Sequence, residues 1–263
     1  MAETMGTAVV TGASAGIGAI YADRLARRGY DLVLVARNKA RLEALSARLT
    51  QETGRSVRTV VADLGKAEDL LQVESLLRDD AGITMLVNNA GIGAVAPLLQ
   101  SDVDKMSEMI TLNVTALTRL TYAAVPGFVA RGKGTIVNIA SIVAIGPEIL
   151  NGVYGATKAF VLALSQSLKH ELKDKGVVVQ AVLPGAIATE FWDLAGTPVE
   201  NLPSEIVMTP QAVVDAALAG LDLGEFATIP SLPDVADWDA YERARQAMMP
   251  NLSRAVPADR YRR

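Results

Sequence analysis

Short runs of β-branched and aliphatic residues alternate with longer helical stretches from the start of the chain to about position 230. TAVV (7–10), DLVLVA (31–36), VRTVVA (57–62), TMLVN (84–88), GTIVNIAS (134–141), VVVQAVL (177–183) and FATIP (226–230) predict about seven strands. Their apolar residues run on almost without interruption, the pattern of strands covered on both faces. Between them, 17–28 and 38–52 read as amphipathic helices, the second with Leu42, Leu45 and Leu49 on one face. Strand and helix in alternation predict a parallel sheet with right-handed crossovers and helices on both faces. The expected fold class is therefore α/β, a doubly wound, Rossmann-type sheet in a single domain over residues 1–263.

Three segments depart from that rhythm. Residues 101–131 and 152–175 are apolar around much of their circumference, and such helices need more than one covering surface. They are either deeply buried in one copy or also packed against another, and the second reading predicts a homodimer or homotetramer through them. Residues 188–210 are rich in Pro, Gly, Thr and acidic side chains, with Phe191 and Trp192 near the start, which predicts a long substrate loop walling a pocket. The tail 234–263 reads as a surface extension.

Composition narrows the function classes. Half of the 263 residues are hydrophobic and 21% are charged, enough for a large core. The formal net charge is -4, with no basic run before Arg260, Arg262 and Arg263, so nucleic acid is not an expected partner. Cysteine is absent, which excludes disulfides and thiolate ligands and fits a reducing cytoplasm. His170 stands alone and the carboxylates show no ligand spacing, so no metal is expected. The opening MAETMGTAVVTGA has neither a basic nor a long apolar signal region, and the uncharged stretch 134–147 falls short of the ~20 apolar residues of a spanning helix. A cytoplasmic protein without a membrane partner is expected.

The candidate chemistry begins where the first strand ends, in TGASAGIG, Thr11 to Gly18. Gly12 permits a tight turn, Gly16 lets backbone approach a phosphate, and Gly18 allows close packing of helix on strand, the signature of a dinucleotide site. The second strand ends in Ala36 and Arg37, where a site selecting a free ribose 2'-hydroxyl places Asp or Glu. A guanidinium there suits a 2'-phosphate, so the expected cofactor is NADP(H), with Ser14 adding a hydroxyl contact. Farther on, Tyr154 precedes Lys158 by four residues, one helical face, with no acid beside them. A nearby cation and a positive nicotinamide favour the phenolate, and bringing a phenol from about pKa 10 to near 7 takes about 4 kcal/mol.

These motifs, in this order, resemble the short-chain dehydrogenase/reductase family, in its shorter branch, from residue 5 to about 230. TGASAGIG is similar to the family's glycine motif, including Ile17, and Asp63 and Leu64 in VVADL resemble its adenine-contacting segment. NNAG, Asn88 to Gly91, resembles the motif in which Asn88 braces the sheet while Asn89, Ala90 and Gly91 border the adenosine ribose. Asn113, Ser141, Tyr154 and Lys158 resemble the catalytic tetrad, and PGAIAT, with Pro184, Gly185, Ile187 and Thr189, resembles the segment embracing the nicotinamide.

The resemblance implies hydride transfer between NADP(H) and a carbonyl carbon. Tyr154 would protonate the oxygen, Ser141 hold it, Lys158 bind the ribose, and Asn113 anchor a water that returns protons. The substrate would be a small or medium ketone, in a pocket walled by Val143 and Ile145 opposite Phe191 and Trp192. The alternative is a catalytically silent NADP(H)-binding regulator or scaffold of the same fold. The serine segment ASIVAIGP lacks the second serine and glycine common in the family, so the pocket wall beyond Ser141 is expected to differ in shape.

Overall fold

The computed structural model describes residues 5–262. The first four residues of the opening segment and Arg263 of the basic tail lie outside the described residues. Strands β1 (Thr7–Thr11), β2 (Asp31–Ala36), β3 (Val57–Val61), β4 (Ile83–Asn88), β5 (Gly134–Ile139) and β6 (Val177–Val182) follow the apolar runs closely. A seventh strand of the sheet is the two-residue Ala227–Thr228, shorter than the run 226–230 that signals it.

All neighbours pair in parallel, and from the β3 edge the order is β3, β2, β1, β4, β5, β6 and then Ala227–Thr228. The order reverses between β1 and β4, and the carboxyl ends of these two strands open the crevice where a doubly wound sheet takes its ligand. Successive residues send their side chains to opposite faces. Leu32 and Leu34 join the core under α1 (Gly16–Arg27) and α2 (Lys39–Thr53), with Tyr21 and Leu42, while Val33 and Val35 join the core on the other face. That second core is closed by α3 (Ala67–Asp79) and by helices from the two long apolar segments, through Val73, Leu120 and Leu168.

The first long segment comprises α4 (Val103–Ile110), a π-helical stretch at Thr111–Ala116, and α5 (Leu117–Arg131), which carries Pro126 inside it. The second is α6 (Gly152–Leu172), three residues shorter than the periodicity suggests. The loop 188–210 is more ordered than its composition suggests. It holds α7 (Phe191–Ala195), and β7 (Ala186–Ile187) just before it pairs with β8 (Val207–Met208) in a small parallel sheet of their own. Helix α8 (Pro210–Asp222) then leads back to the main sheet.

The chain divides into two compact units after Pro230. In the second, α9 (Val235–Ala247) carries Trp238 tilted against Tyr241 at 5.4 Å. No described helix is long and apolar enough to cross a membrane. Ile136, fully buried in the middle of β5, packs into the second core. Ile136→Ala should lower unfolding free energy by about 2–5 kcal/mol, measured by urea denaturation, because the rigid sheet cannot collapse into the void.

Candidate active site

A cleft of about 700 Å³ runs along the carboxyl ends of the strands. Its floor is the glycine turn. Gly12 and Gly16 adopt φ of 65° and 54°, the left-handed region that glycine enters freely. A side chain at Gly12 would stand 2.7 Å from the Asn89 amide nitrogen, and one at Gly18 would strike the Gly12 carbonyl. Asn89 locks the turn, its Nδ2 donating to the carbonyls of Thr11 (2.8 Å) and Gly12 (3.2 Å). Helix α1 starts behind Ala15, which supplies no side-chain cap, and its first turn carries no acid. Its first N–H groups therefore offer an anion site beside Ser14, Gly16 and Ile17.

The cradle fits a dinucleotide. One wall holds Arg37, Asp63 and Leu64 at the ends of β2 and β3, and the middle holds Asn89, Ala90 and Gly91. A side chain at Gly91 would reach 3.1 Å from the Asn113 Oδ1 and 3.7 Å from the Lys158 Nζ, so the backbone there must stay bare. The far wall brings Pro184, Gly185, Ile187 and Thr189 to the same cleft. Among the described residues no group of acids and histidine could hold a metal ion.

Ser141, Tyr154 and Lys158 line the cleft together. Asn151 caps α6 by accepting from the Val153 and Tyr154 N–H groups, which sets Tyr154 in the first turn facing Ser141. The Ser141 Oγ donates to the Pro184 carbonyl at 3.3 Å. One turn on, the Lys158 Nζ donates to the Ile139 carbonyl at 2.8 Å and lies 5.9 Å from the Tyr154 ring centre. Both residues are nearly buried, with exposures of 6% for Tyr154 and 7% for Lys158.

In the protein without its cofactor, burial opposes the expected pull of the phenol toward neutral pH. Loss of water pushes the Tyr154 phenol up to about 12, with only the neighbouring Ser141 hydroxyl opposing it. The same loss pushes the Lys158 ammonium down to about 8. In the protein alone, desolvation outweighs the attraction between the pair.

Asn113 does not line the cleft. It is 2% exposed within the π-helical stretch, and its side chain is consumed by neighbours. Its Oδ1 accepts from the Ile92 N–H (3.0 Å), while its Nδ2 donates to the Ile92 carbonyl (2.8 Å) and the Thr157 Oγ1 (3.1 Å). Thr157 in turn donates to the Tyr154 carbonyl at 2.8 Å. The side chain thus clamps Ile92 to α6. Thr157 had no sequence signal beyond its place between Tyr154 and Lys158.

On the substrate side, Phe191 tilts against Tyr154 with ring centres 5.7 Å apart and meets Trp192 edge-on at 5.5 Å. The Trp192 Nε1 donates to the Ile187 carbonyl at 2.9 Å, fastening α7. Val143 lines the cleft with them, but Ile145 does not: the tight turn over 142–144 carries it outward, and it is 40% exposed. Ile149, Leu150, Leu202 and Ile206 supply apolar wall that the sequence reading missed, because distant turns bring them in. Equally unforeseen is Arg41 of α2, whose guanidinium grips the Glu190 carboxylate in two hydrogen bonds of 2.7 and 3.1 Å across the cleft.

A lysine whose pKa falls from its ordinary 10.5 to about 8 holds fewer protons folded than unfolded between those values. Its stability deficit is thus full below pH 8 and disappears as pH rises through the window to 10.5. Lys158→Met should stabilise the ligand-free protein at pH 7 by about 1–3 kcal/mol, after loss of the Ile139 hydrogen bond is counted. Urea denaturation at pH 7 and again above pH 10 should show that gain shrinking.

A sequence profile of the short chain dehydrogenase family matches residues 6–197. A short-chain dehydrogenase from Sphingobium yanoikuyae, solved in complex with NADPH, is 52% identical and superposes with a TM-score of 0.94 over 98% of this chain and 100% of that one. The bulky-bulky ketone specific alcohol dehydrogenase from Comamonas testosteroni is 44% identical, with a TM-score of 0.91 over 99% and 100%. A very-long-chain 3-oxoacyl-CoA reductase of Anas platyrhynchos is 36% identical over 220 residues, 82% of this chain and 69% of that protein. The glycine cradle and the wall of Ser141, Tyr154 and Lys158 are thus found on a chain that belongs to the short-chain dehydrogenase family.

Proposed function

We propose that this chain is an NADPH-dependent reductase of apolar ketones. The observation that carries the reading is the pairing of two ends in one cleft: Ser141, Tyr154 and Lys158 at one, and Arg37 with no acid at the end of β2 at the other. Gly12, Gly16 and the uncapped α1 would hold the pyrophosphate, Arg37 the 2'-phosphate, and Gly91 the ribose. When bound, NADPH supplies the hydride.

The residues of the chain do the rest. The Ser141 Oγ and the Tyr154 hydroxyl hold the carbonyl oxygen, and these contacts strengthen as negative charge develops on it. Burial keeps the Tyr154 hydroxyl protonated through the neutral range, so the proton that the oxygen needs is already in place. Lys158 remains largely cationic at pH 7 and lies behind the phenol, where it stabilises the phenolate left after transfer. Phe191, Trp192, Val143 and the turn residues offer the carbonyl's substituents an apolar wall.

Among the relatives, one is named for bulky ketones and another for 3-oxoacyl-CoA. The loop 188–210 carries Glu190, Asp193, Glu200 and Glu205 and no lysine or arginine, and Glu148 lies in the opposite turn. Asp193, Glu200, Glu205 and Glu148 are exposed, without an ion-pair partner among the described residues. Three of these acids, Glu148, Asp193 and Glu205, adjoin the wall residues Ile149, Leu194 and Ile206 in the chain, and negative charge so close to an apolar wall disfavours a polyanionic thioester and suits an uncharged ketone. The exposed Val103, Ile110, Tyr122 and Phe160 on α4 to α6 suit a homo-oligomeric contact.

Mixed with NADPH and a panel of aryl and alkyl ketones, the protein should oxidise the cofactor, followed by its absorbance, and should act weakly on 3-oxoacyl-CoA. Tyr154→Phe should cut kcat by about 10²–10⁴-fold with NADPH affinity nearly unchanged; retained turnover would remove Tyr154 as the acid. Arg37→Asp should reverse the preference from NADPH toward NADH, read as the ratio of kcat/KM for the two cofactors. An unchanged ratio would exclude contact between Arg37 and the 2'-phosphate.

A further inference from the structure

The cleft contains an ion pair for which the reaction has no use. Among the described residues, Arg41 with Glu190 is the only salt bridge with both members in the cleft lining. Arg41 stands in the first turn of α2, fixed there by its N–H donating to the Asn38 Oδ1 at 3.0 Å, one turn beyond Arg37. Glu190 directly follows Thr189, whose methyl carbon lies 3.4 Å from where a Gly16 side chain would begin. It directly precedes Phe191, the ring that packs on Tyr154. The pair therefore ties the wall that faces the 2'-phosphate to the segment that covers the proton donor.

Resting on the NADP(H) reading above, we propose that Glu190 tempers the preference for NADPH over NADH from within the substrate loop, because its carboxylate and the 2'-phosphate compete for the Arg41 guanidinium. Both oxygens of Glu190 are engaged by the two terminal nitrogens of Arg41, the same fork that a phosphate takes. The pair is half-exposed, 49% on Arg41 and 62% on Glu190, so it is weak and easily surrendered to a dianion. A 2'-phosphate takes Arg41 and releases the start of α7; a cofactor with a free 2'-hydroxyl leaves the strap fastened. Loop position over Tyr154 is thereby linked to the phosphate at the other end of the cleft.

The test is calorimetric titration of NADPH and NADH into wild type, Glu190→Gln, Arg41→Met and the double variant, with thermal midpoints of the free proteins as the control for folding. Removing the competing charge in Glu190→Gln should tighten NADPH about two- to fivefold and leave NADH within about twofold. Arg41→Met should weaken NADPH about tenfold with little effect on NADH. In the double variant the gain from Glu190→Gln should vanish, since no guanidinium remains to compete for. An unchanged or weaker NADPH Kd in Glu190→Gln, or a gain that persists without Arg41, would overturn the proposal. Ketone turnover takes no part in this readout: failure of the reductase reading appears as NADPH binding without turnover, and failure of this inference as an unmoved Kd in Glu190→Gln.

Discussion

Removal of water from a phenol and an ammonium on the same helix governs the chemistry this cleft can perform. Burial drives each group toward its neutral form, Tyr154 up and Lys158 down. Among the described residues no carboxylate pairs with Lys158 to restore its charge, and its Nζ donates to a backbone carbonyl. The resulting pair keeps a proton on the phenol oxygen through the neutral range. The same desolvation is a stability cost that the surrounding fold must offset, the familiar trade between a strained site and a robust one.

What offsets it is a set of polar contacts beneath the cleft floor. Asn113 and Thr157 bind Ile92 to α6, so the strand end after β4 and the helix carrying Tyr154 move as one piece. Below them, the Asn88 Nδ2 donates to the Asn138 Oδ1 at 2.9 Å, and the Asn138 Nδ2 donates to the Ser165 Oγ at 2.9 Å. This links β4, β5 and α6 through side chains as well as packing. The Thr11 hydroxyl accepts from the Asn89 and Ala90 N–H groups, joining the glycine turn to the same strand end. Apart from the Asn88 Oδ1, which is buried without a hydrogen-bond partner, this network is paired, and paired buried polar groups hold one arrangement against alternatives.

The substrate side obeys a different constraint. Its wall is assembled from short pieces: turns over 142–144 and 147–149, α7, and the turn that carries Ile206. These are fastened by few contacts, among them the Trp192 indole on Ile187 and the Arg41–Glu190 pair. Short elements with exposed ion pairs open at low cost, which suits a surface that must admit substrate while the floor stays rigid.

The amino-acid sequence by itself determined the alternation of strands and helices, because continuous apolar runs and 3.6-residue periodicity are local properties. It also determined the glycine turn, since a left-handed φ at Gly12 and Gly16 and the absence of a side chain at Gly18 are requirements met residue by residue. The helical spacing of Tyr154 and Lys158 was legible for the same reason. Only the tertiary structure decided the sign of their pKa shifts, because burial depends on what the rest of the chain brings against them. It alone sent the Asn113 side chain to Ile92, kept Ile145 out of the cleft lining, and brought Ile149 and Ile206 to the cleft wall. Arg41 and Glu190 stand 149 residues apart in the chain. No local pattern encodes such a contact, because it exists only once α2 and the loop before α7 have been folded onto opposite sides of the same cleft.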